Sequence, residues 1–192
     1  MIRIQLLCAA ALLAGCAGGK GLSSGPGGWE ARSYYPLAVG NRWTYETNLL
    51  GEKSLRTVEI VKEEDGFYRD SQGGRLAMDA YGIRDDKRYL LRAPLKQGVQ
   101  WSNVVSANVT EHYTVVESGG HCESPAGVFE HCVRVEARSR IADGSTLVNQ
   151  LTFAQGVGLV RVEVVVEQGG RKIPQSSLAL TDYALKSARE GS

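Results

Sequence analysis

Apolar and polar residues alternate through most of this chain with a period of two. Trp43, Tyr45, Thr47 and Leu49 share one parity, and Arg42, Thr44, Glu46 and Asn48 the other. Successive side chains on a strand point to opposite faces, so this pattern predicts a strand with one face buried and one wet. A glycine turn near Gly51 leads to residues 55–62, where Val58 and Ile60 share a face. Asp65-Gly66 then turns into residues 67–70. Gly73-Gly74 opens a strand through Met78 to Ile83, and Asp85-Asp86 turns into residues 89–92. The second half behaves alike. Residues 109–117 form one strand, ended by Gly119-Gly120. Residues 128–138 put Phe129, Val133, Val135 and Ala137 on one face and Glu130, Arg134, Glu136 and Arg138 on the other. Asp143-Gly144 turns into residues 147–153. Gly156-Val157-Gly158 leads into residues 159–167, where Val160, Val162, Val164 and Val166 oppose Arg161, Glu163 and Glu167. A last strand covers residues 178–185.

These segments predict a mainly β fold: an antiparallel meander of about ten strands. No window between Trp29 and Ala184 carries a capped apolar period of 3.6, which argues against parallel βαβ architecture. So long a meander must protect its edges by curling into a barrel or folding into a sandwich, and the sequence leaves both open.

One motif occurs twice. Pro36-Leu37-x-x-Gly40-x-x-Trp43 returns 58 residues later as Pro94-Leu95-x-x-Gly98-x-x-Trp101. In each copy proline fixes φ, glycine permits a tight turn and tryptophan starts a strand. A pair of matched binding lips is one reading. A structural corner used twice is the favoured one, since tryptophan is a common core anchor.

The first residues read differently. Arg3 precedes an apolar run from Ile4 to Leu13, about ten residues and half of what a helix needs to span a bilayer. It ends in Leu12-Leu13-Ala14-Gly15-Cys16, a lipobox pattern. Residues 1–15 are therefore expected to be a lipoprotein signal peptide, with Cys16 the acylated first residue of the mature chain. An ordinary cleaved signal is the alternative. Ala17 follows Cys16, with no aspartate there to mark retention at the inner membrane, which suggests the outer membrane. Residues 16–28 hold the lipidated cysteine and a tether reading AGGKGLSSGPGG, with an r.m.s. reach of roughly 17–21 Å. A single β domain is expected over 29–186, then a polar tail over 187–192.

Loss of Arg3 with the signal takes the 22 basic residues to 21, against 21 acidic ones. That balance gives no footprint for nucleic acid and no polybasic membrane patch. Membrane association then rests on the lipid at Cys16. With Cys8 in the signal, only Cys122 and Cys132 remain, in a compartment where disulfides persist. Pro125-Ala126-Gly127 lies midway, so a hairpin is expected to set the two cysteines opposite each other in a cross-strand disulfide. Parity puts Cys132 on the polar face and suggests an exposed bridge. Free thiols and a metal site with His121 and His131 are the alternatives. The metal site is disfavoured because each histidine points away from its neighbouring cysteine.

No nucleophile elbow is present, and none of the three histidines has an evident serine and carboxylate companion. Asp85-Asp86 and Glu63-Glu64-Asp65 sit at turns, where solvated acids are expected. Gly169-Gly170-Arg171-Lys172 lacks phosphate-loop spacing and reads as another hairpin turn. No catalytic residue, cofactor or metal is assigned.

Tyr35-Pro36-Leu37-Ala38-Val39-Gly40-Asn41-Arg42-Trp43-Thr44-Tyr45 resembles the opening motif of a set of uncharacterised bacterial envelope lipoproteins, labelled TapB-like. Ser124-Pro125-Ala126-Gly127-Val128-Phe129-Glu130-His131-Cys132 resembles their proline-alanine-glycine hairpin, and Gly156-Val157-Gly158-Leu159-Val160 their third landmark. The resemblance implies a β-rich lipoprotein domain and carries over no catalytic residues.

The function expected is that of a non-catalytic envelope lipoprotein whose domain, in the periplasm or at the surface, binds a protein or other envelope partner. The alternative is a carrier of a lipophilic ligand, with the valine face and both tryptophans lining a cavity inside the curled sheet. An envelope enzyme ranks third.

Overall fold

The computed structural model describes residues 28–141 and 144–186. The signal, Cys16, the tether and the polar tail lie outside them. After a short helix, α1 (Gly28–Ser33), the chain is antiparallel sheet: β1 (Arg42–Leu49), β2 (Glu52–Glu64), β3 (Phe67–Asp70), β4 (Arg75–Met78), β5 (Gly82–Arg84), β6 (Tyr89–Arg92), β7 (Gln100–Ser106), β8 (Val109–Ser124), β9 (Gly127–Arg140), β10 (Thr146–Ala154), β11 (Gly158–Gln168) and β12 (Arg171–Ala184).

The expected meander is there, with twelve strands where about ten were read. The stretch read as one strand up to Ile83 is two. Asp79 folds back to accept the amides of Tyr81 at 2.8 Å and Gly82 at 3.1 Å, and this side-chain turn separates β4 from β5. Gly119-Gly120 does not end a strand: β8 runs through it on register shifts that absorb the extra residues. Residues 171–172, read as part of a turn, and 173–177, to which no element was given, are the first half of β12. Helix α1, six residues long, is too short for a period of 3.6 to register.

Sequence neighbours pair throughout except β6 with β7, and β1 also pairs with β12, so the meander curls into a nearly closed barrel. The gap lies between β6 and β7, where side chains replace the ladder. Trp101 Nε1 donates to Tyr89 O at 2.9 Å, Asn103 Oδ1 accepts Tyr89 N–H at 3.1 Å, and Arg88 reaches Glu111 at 3.0 Å. Glu111 also accepts the Tyr113 hydroxyl at 2.8 Å. Burial and then that bond push the Tyr113 pKa up. Asn103 and Glu111 are both buried, and these bonds supply the partners that buried polar groups require.

The wall is uneven. β3 to β6 have four, four, three and four residues, against 16 in β8 and 14 in both β9 and β12. β2 pairs with β3 only from Ile60 onward, so, among the described residues, positions 52–58 of β2 have β1 on one side and no strand on the other. One end of the barrel is therefore a ring with α1 against β5 and β6, here called the base. The other end, the mouth, is a half-shell formed by the long strands. The core fills the base and waist: Trp43, Tyr45, Ile60, Ile83, Leu91, Trp101, Tyr113, Val115, Val133, Val135, Phe153, Val160 and Leu180 form one cluster with Ala31, Tyr34 and Tyr35.

Candidate functional site

The landmark motifs meet at the base. The β11–β12 ladder begins at the pair Arg161 and Ala179, while β12 stays on β1 as far as Ala184, so β11 and β12 part beyond that point. Three backbone carbonyls near the parting are each taken by another motif. Trp43 Nε1 donates to Val157 O at 2.7 Å, the Tyr45 hydroxyl to Leu159 O at 3.0 Å, and Ala126 N–H to Leu180 O at 2.9 Å. Gly158 has φ +118°, and a Cβ there would lie 3.1 Å from Trp43 Nε1. Only glycine gives both that conformation and that approach. Tyr35 packs on Trp43 with ring centroids 5.3 Å apart, and burial raises its pKa to about 12. These residues hold the base together. They are packing and hydrogen-bond closure, with no side chain presented to a ligand.

The two repeat copies build one corner twice. In the first, Gly40 N–H donates to Ile60 O at 2.7 Å, Asn41 N–H to Ala38 O at 3.0 Å, and Ile60 N–H to Asn41 O at 2.9 Å. In the second, Gly98 donates to Val115 at 2.8 Å, Val99 to Lys96 at 3.1 Å, and Val115 to Val99 at 2.9 Å. Gly40 and Gly98 have φ of +91° and +86°, a region in which a side chain is strained. Pro36 and Pro94 start the two corners, the bond before Pro94 being cis. Each tryptophan ends its corner by pinning a distant carbonyl, Trp43 across the base and Trp101 across the β6–β7 gap. Trp43 is 0% and Trp101 6% exposed, so neither lines an open cavity.

Cys122 and Cys132 are joined in a disulfide, Cα atoms 6.0 Å apart. They are not directly opposite. The turn makes Ser124 face Gly127 and Cys122 face Phe129, while Cys132 faces Gly120, so the bridge is diagonal. Register shifts around Gly120 and a left-handed His131 at φ 53° bring the sulfurs together. The expected exposure is also corrected: Cys132 is 4% exposed, because the shifts turn it toward the core. Both sulfurs are in the bridge, so neither is a thiolate free to bind metal. A recess of about 320 Å³ beside it is lined by Glu117, His121, Arg134, Thr152 and Arg161. Its arginines are paired, Arg134 2.6 Å from Glu117 and Arg161 3.7 Å from Glu163, with Arg161 also donating to the Glu123 backbone carbonyl at 2.8 Å.

The acidic residues at the turns have local partners. Asp85 accepts the amides of Lys87 at 2.7 Å and Arg88 at 2.8 Å. Glu64 pairs with Lys62 and Arg69, and its pKa is lowered first by the Lys62 hydrogen bond.

The mouth is where side chains stand open. Tyr45, Val160 and Leu180 point into the core, so residues two apart from them face the same way: Thr47 and Leu49, Val162 and Val164, Leu178 and Ser176. A groove of about 420 Å³ lies along this inner face, lined by Thr47, Leu49, Ser54, Arg56, Val162 and Leu178 among others. A second hollow, about 650 Å³, lies on the outer face of the same hairpins against Leu50, Val165 and Pro174. Leu49 and Leu50 at the tip are 63% and 76% exposed, and Leu50 holds φ 51°, a conformation unusual for a bulky residue. Of these residues, sequence reasoning had singled out only the valine face. The signal for the rest was the apolar pair Leu49-Leu50 at a turn where polar residues are the rule.

No family model matches the sequence, and no curated protein does. The chain is similar to solved structures of a protein assigned as exported, with a YmcC-like fold, from Bacteroides fragilis NCTC 9343, and of a protein assigned as a lipoprotein from Parabacteroides distasonis ATCC 8503. The first gives a TM-score of 0.47 at 14% identity, over 79% of this chain and 99% of that one. The second gives 0.46 at 12%, over 79% and 98%.

Proposed function

We propose that this chain is a lipid-anchored envelope lipoprotein, related to the TapB-like set, whose non-catalytic domain binds a protein or other envelope partner at the open mouth. The anchor reading rests on Leu12–Cys16, which lies outside the described residues, and the outer membrane is its destination in this reading. The observation that carries the binding reading is the contrast in exposure. Tyr35, Trp43 and Tyr45 of the base motifs are buried in mutual contacts, whereas the hairpin tips at the mouth present the adjacent pair Leu49-Leu50, with Ile173, to solvent; Val128 at the base, 68% exposed, is the matched control. A photo-crosslinker at Leu50 should capture one stoichiometric partner in intact cells, and the same group at Val128 near the base should not. Equal capture at both positions, or none at Leu50, would sink the reading. Acyl-chain mass spectrometry of the mature N-terminus tests the anchor separately. An unmodified Cys16 would remove it.

The carrier reading is favoured by a different feature, the inner groove. The tryptophans once expected to line a cavity are packed, so a lipophilic ligand would have to lie in the mouth and not in the waist.

A further inference from the structure

The inner face of the mouth has the pattern of a buried strand face, yet no described layer covers it. On β11 and β12 the alternation that places Val160 and Leu180 in the core continues past the waist. Val162, Val164 and Leu178 point the same way, as does Leu151 on β10, while Arg161, Glu163 and Ser177 take the outer side. The strands that would stand opposite, β3 to β6, are too short to reach them. An apolar strip is left along one side of the groove.

The other side is polar and carries a cation. Thr47 and Ser54 bond each other at 2.7 Å. Arg56, two residues along β2 and beside Tyr45 in the register, makes no hydrogen bond or ion pair among the described residues. Lys53 and Lys172 on these hairpins are engaged, Lys53 with Glu46 at 2.9 Å and Lys172 with Glu167 at 3.5 Å. Arg56 is thus an unneutralised guanidinium beside an uncovered apolar strip. Glu52 also lines the groove, four residues nearer the tip, which is about 13 Å along a strand.

We propose that this groove binds a single-chain carboxylate amphiphile, a fatty acid. Its hydrocarbon lies along Leu49, Val162 and Leu178, and its carboxylate meets the Arg56 guanidinium, whose planar fork matches a carboxylate in two parallel hydrogen bonds. Glu52 repels a carboxylate from the tip end and so sets the direction in which the chain lies. The volume, about 420 Å³, is within the range of roughly 300–1,000 Å³ usual for small-molecule sites. The site goes beyond partner binding at the mouth and does not depend on it.

The test uses the full-length chain with Cys16→Ala, so that no acyl chain of its own competes, titrated by calorimetry with dodecanoate. Dodecanoate should bind saturably with one site, and dodecyltrimethylammonium should bind at least tenfold more weakly. Arg56→Gln should weaken dodecanoate about tenfold and leave dodecanol unchanged, while Leu49→Gln should weaken both. Arg56 and Leu49 are exposed, and matching thermal unfolding curves establish that the variants fold. Absence of saturable dodecanoate binding overturns the proposal. So does equal binding of the cationic amphiphile, or dodecanoate binding that Arg56→Gln leaves intact. A chain that captures its partner through Leu50 yet ignores dodecanoate overturns this site and leaves partner binding standing.

Discussion

The two ends of this barrel are made of the same kind of strand and differ in what faces them. At the base, Trp43, Tyr45 and Tyr35 meet Phe153, Val157 and Gly158, and the carbonyls near the parting of β11 and β12 are satisfied from other segments. At the mouth the same strands β1, β11 and β12 continue for several residues with no described strand opposite. Recognisable motifs gather where geometry is tight, because at φ +118° against an indole any side chain would be strained and crowded. The face open to a ligand carries ordinary residues, Leu49, Arg56 and Val162, that form no motif. In this molecule the motif is the scaffold's signature.

If that contrast is right, substitutions should separate the ends by size of effect. The largest is expected at Trp43→Ala, which empties a fully buried indole site and orphans Val157 O. It should cost about 3–5 kcal/mol in urea unfolding. A cost below 1 kcal/mol would mean the base is not the stabilising end.

Opening the Cys122–Cys132 bridge by Cys122→Ala with Cys132→Ala should cost about 2–3 kcal/mol, the loop-closure value for so short a loop. It should also loosen the Pro125–Gly127 turn from Leu180. Amide exchange at Ala126 reports on that contact and should rise in the double variant.

Alkali should act through the base. Tyr35 keeps its proton to about pH 12 when folded, against about 10 unfolded. A raised folded pKa gives stability that is present below pH 10 and lost as pH rises toward 12, by roughly 2–3 kcal/mol. In Tyr35→Phe the fall of the urea midpoint across that window should be shallower. An unchanged slope would show that Tyr35 is not the group responsible.

The smallest effect belongs to the mouth, with opposite sign. Leu50→Asn suits φ 51° better than leucine and should raise stability by about 0.5–1 kcal/mol while weakening partner capture. Gain of stability with capture intact would break the link between the exposed tip and binding.

Much of this fold was legible locally. The faces of β1, β9 and β11 follow from parity, and the corners at Gly40 and Gly98 from their shared spacing. Asp79 hid a turn because an aspartate bending back to two amides looks, in sequence, like any polar residue in a strand. Gly119-Gly120 misled in the other direction, since glycine marks bulges as well as turns. The diagonal disulfide was out of reach for the same reason: counting from Pro125-Ala126 assumes a regular ladder, and the register shifts break it. Arg56 was illegible as a site residue, because being unpaired is a property of its neighbours.

The sequence by itself determined an antiparallel meander, the inward faces of β1 and β11 and of most of β9, the two tryptophan corners and which two cysteines were left to pair. Those features depend on residues within a turn or a strand of one another. Tertiary structure alone decided that β1 closes on β12, that β6 and β7 meet only through side chains, and that β3 to β6 stop short. Closure and relative strand length arise from pairings between distant segments, and periodicity carries no information about what lies across the barrel. It was the unequal wall that left a burial-grade face open at the mouth.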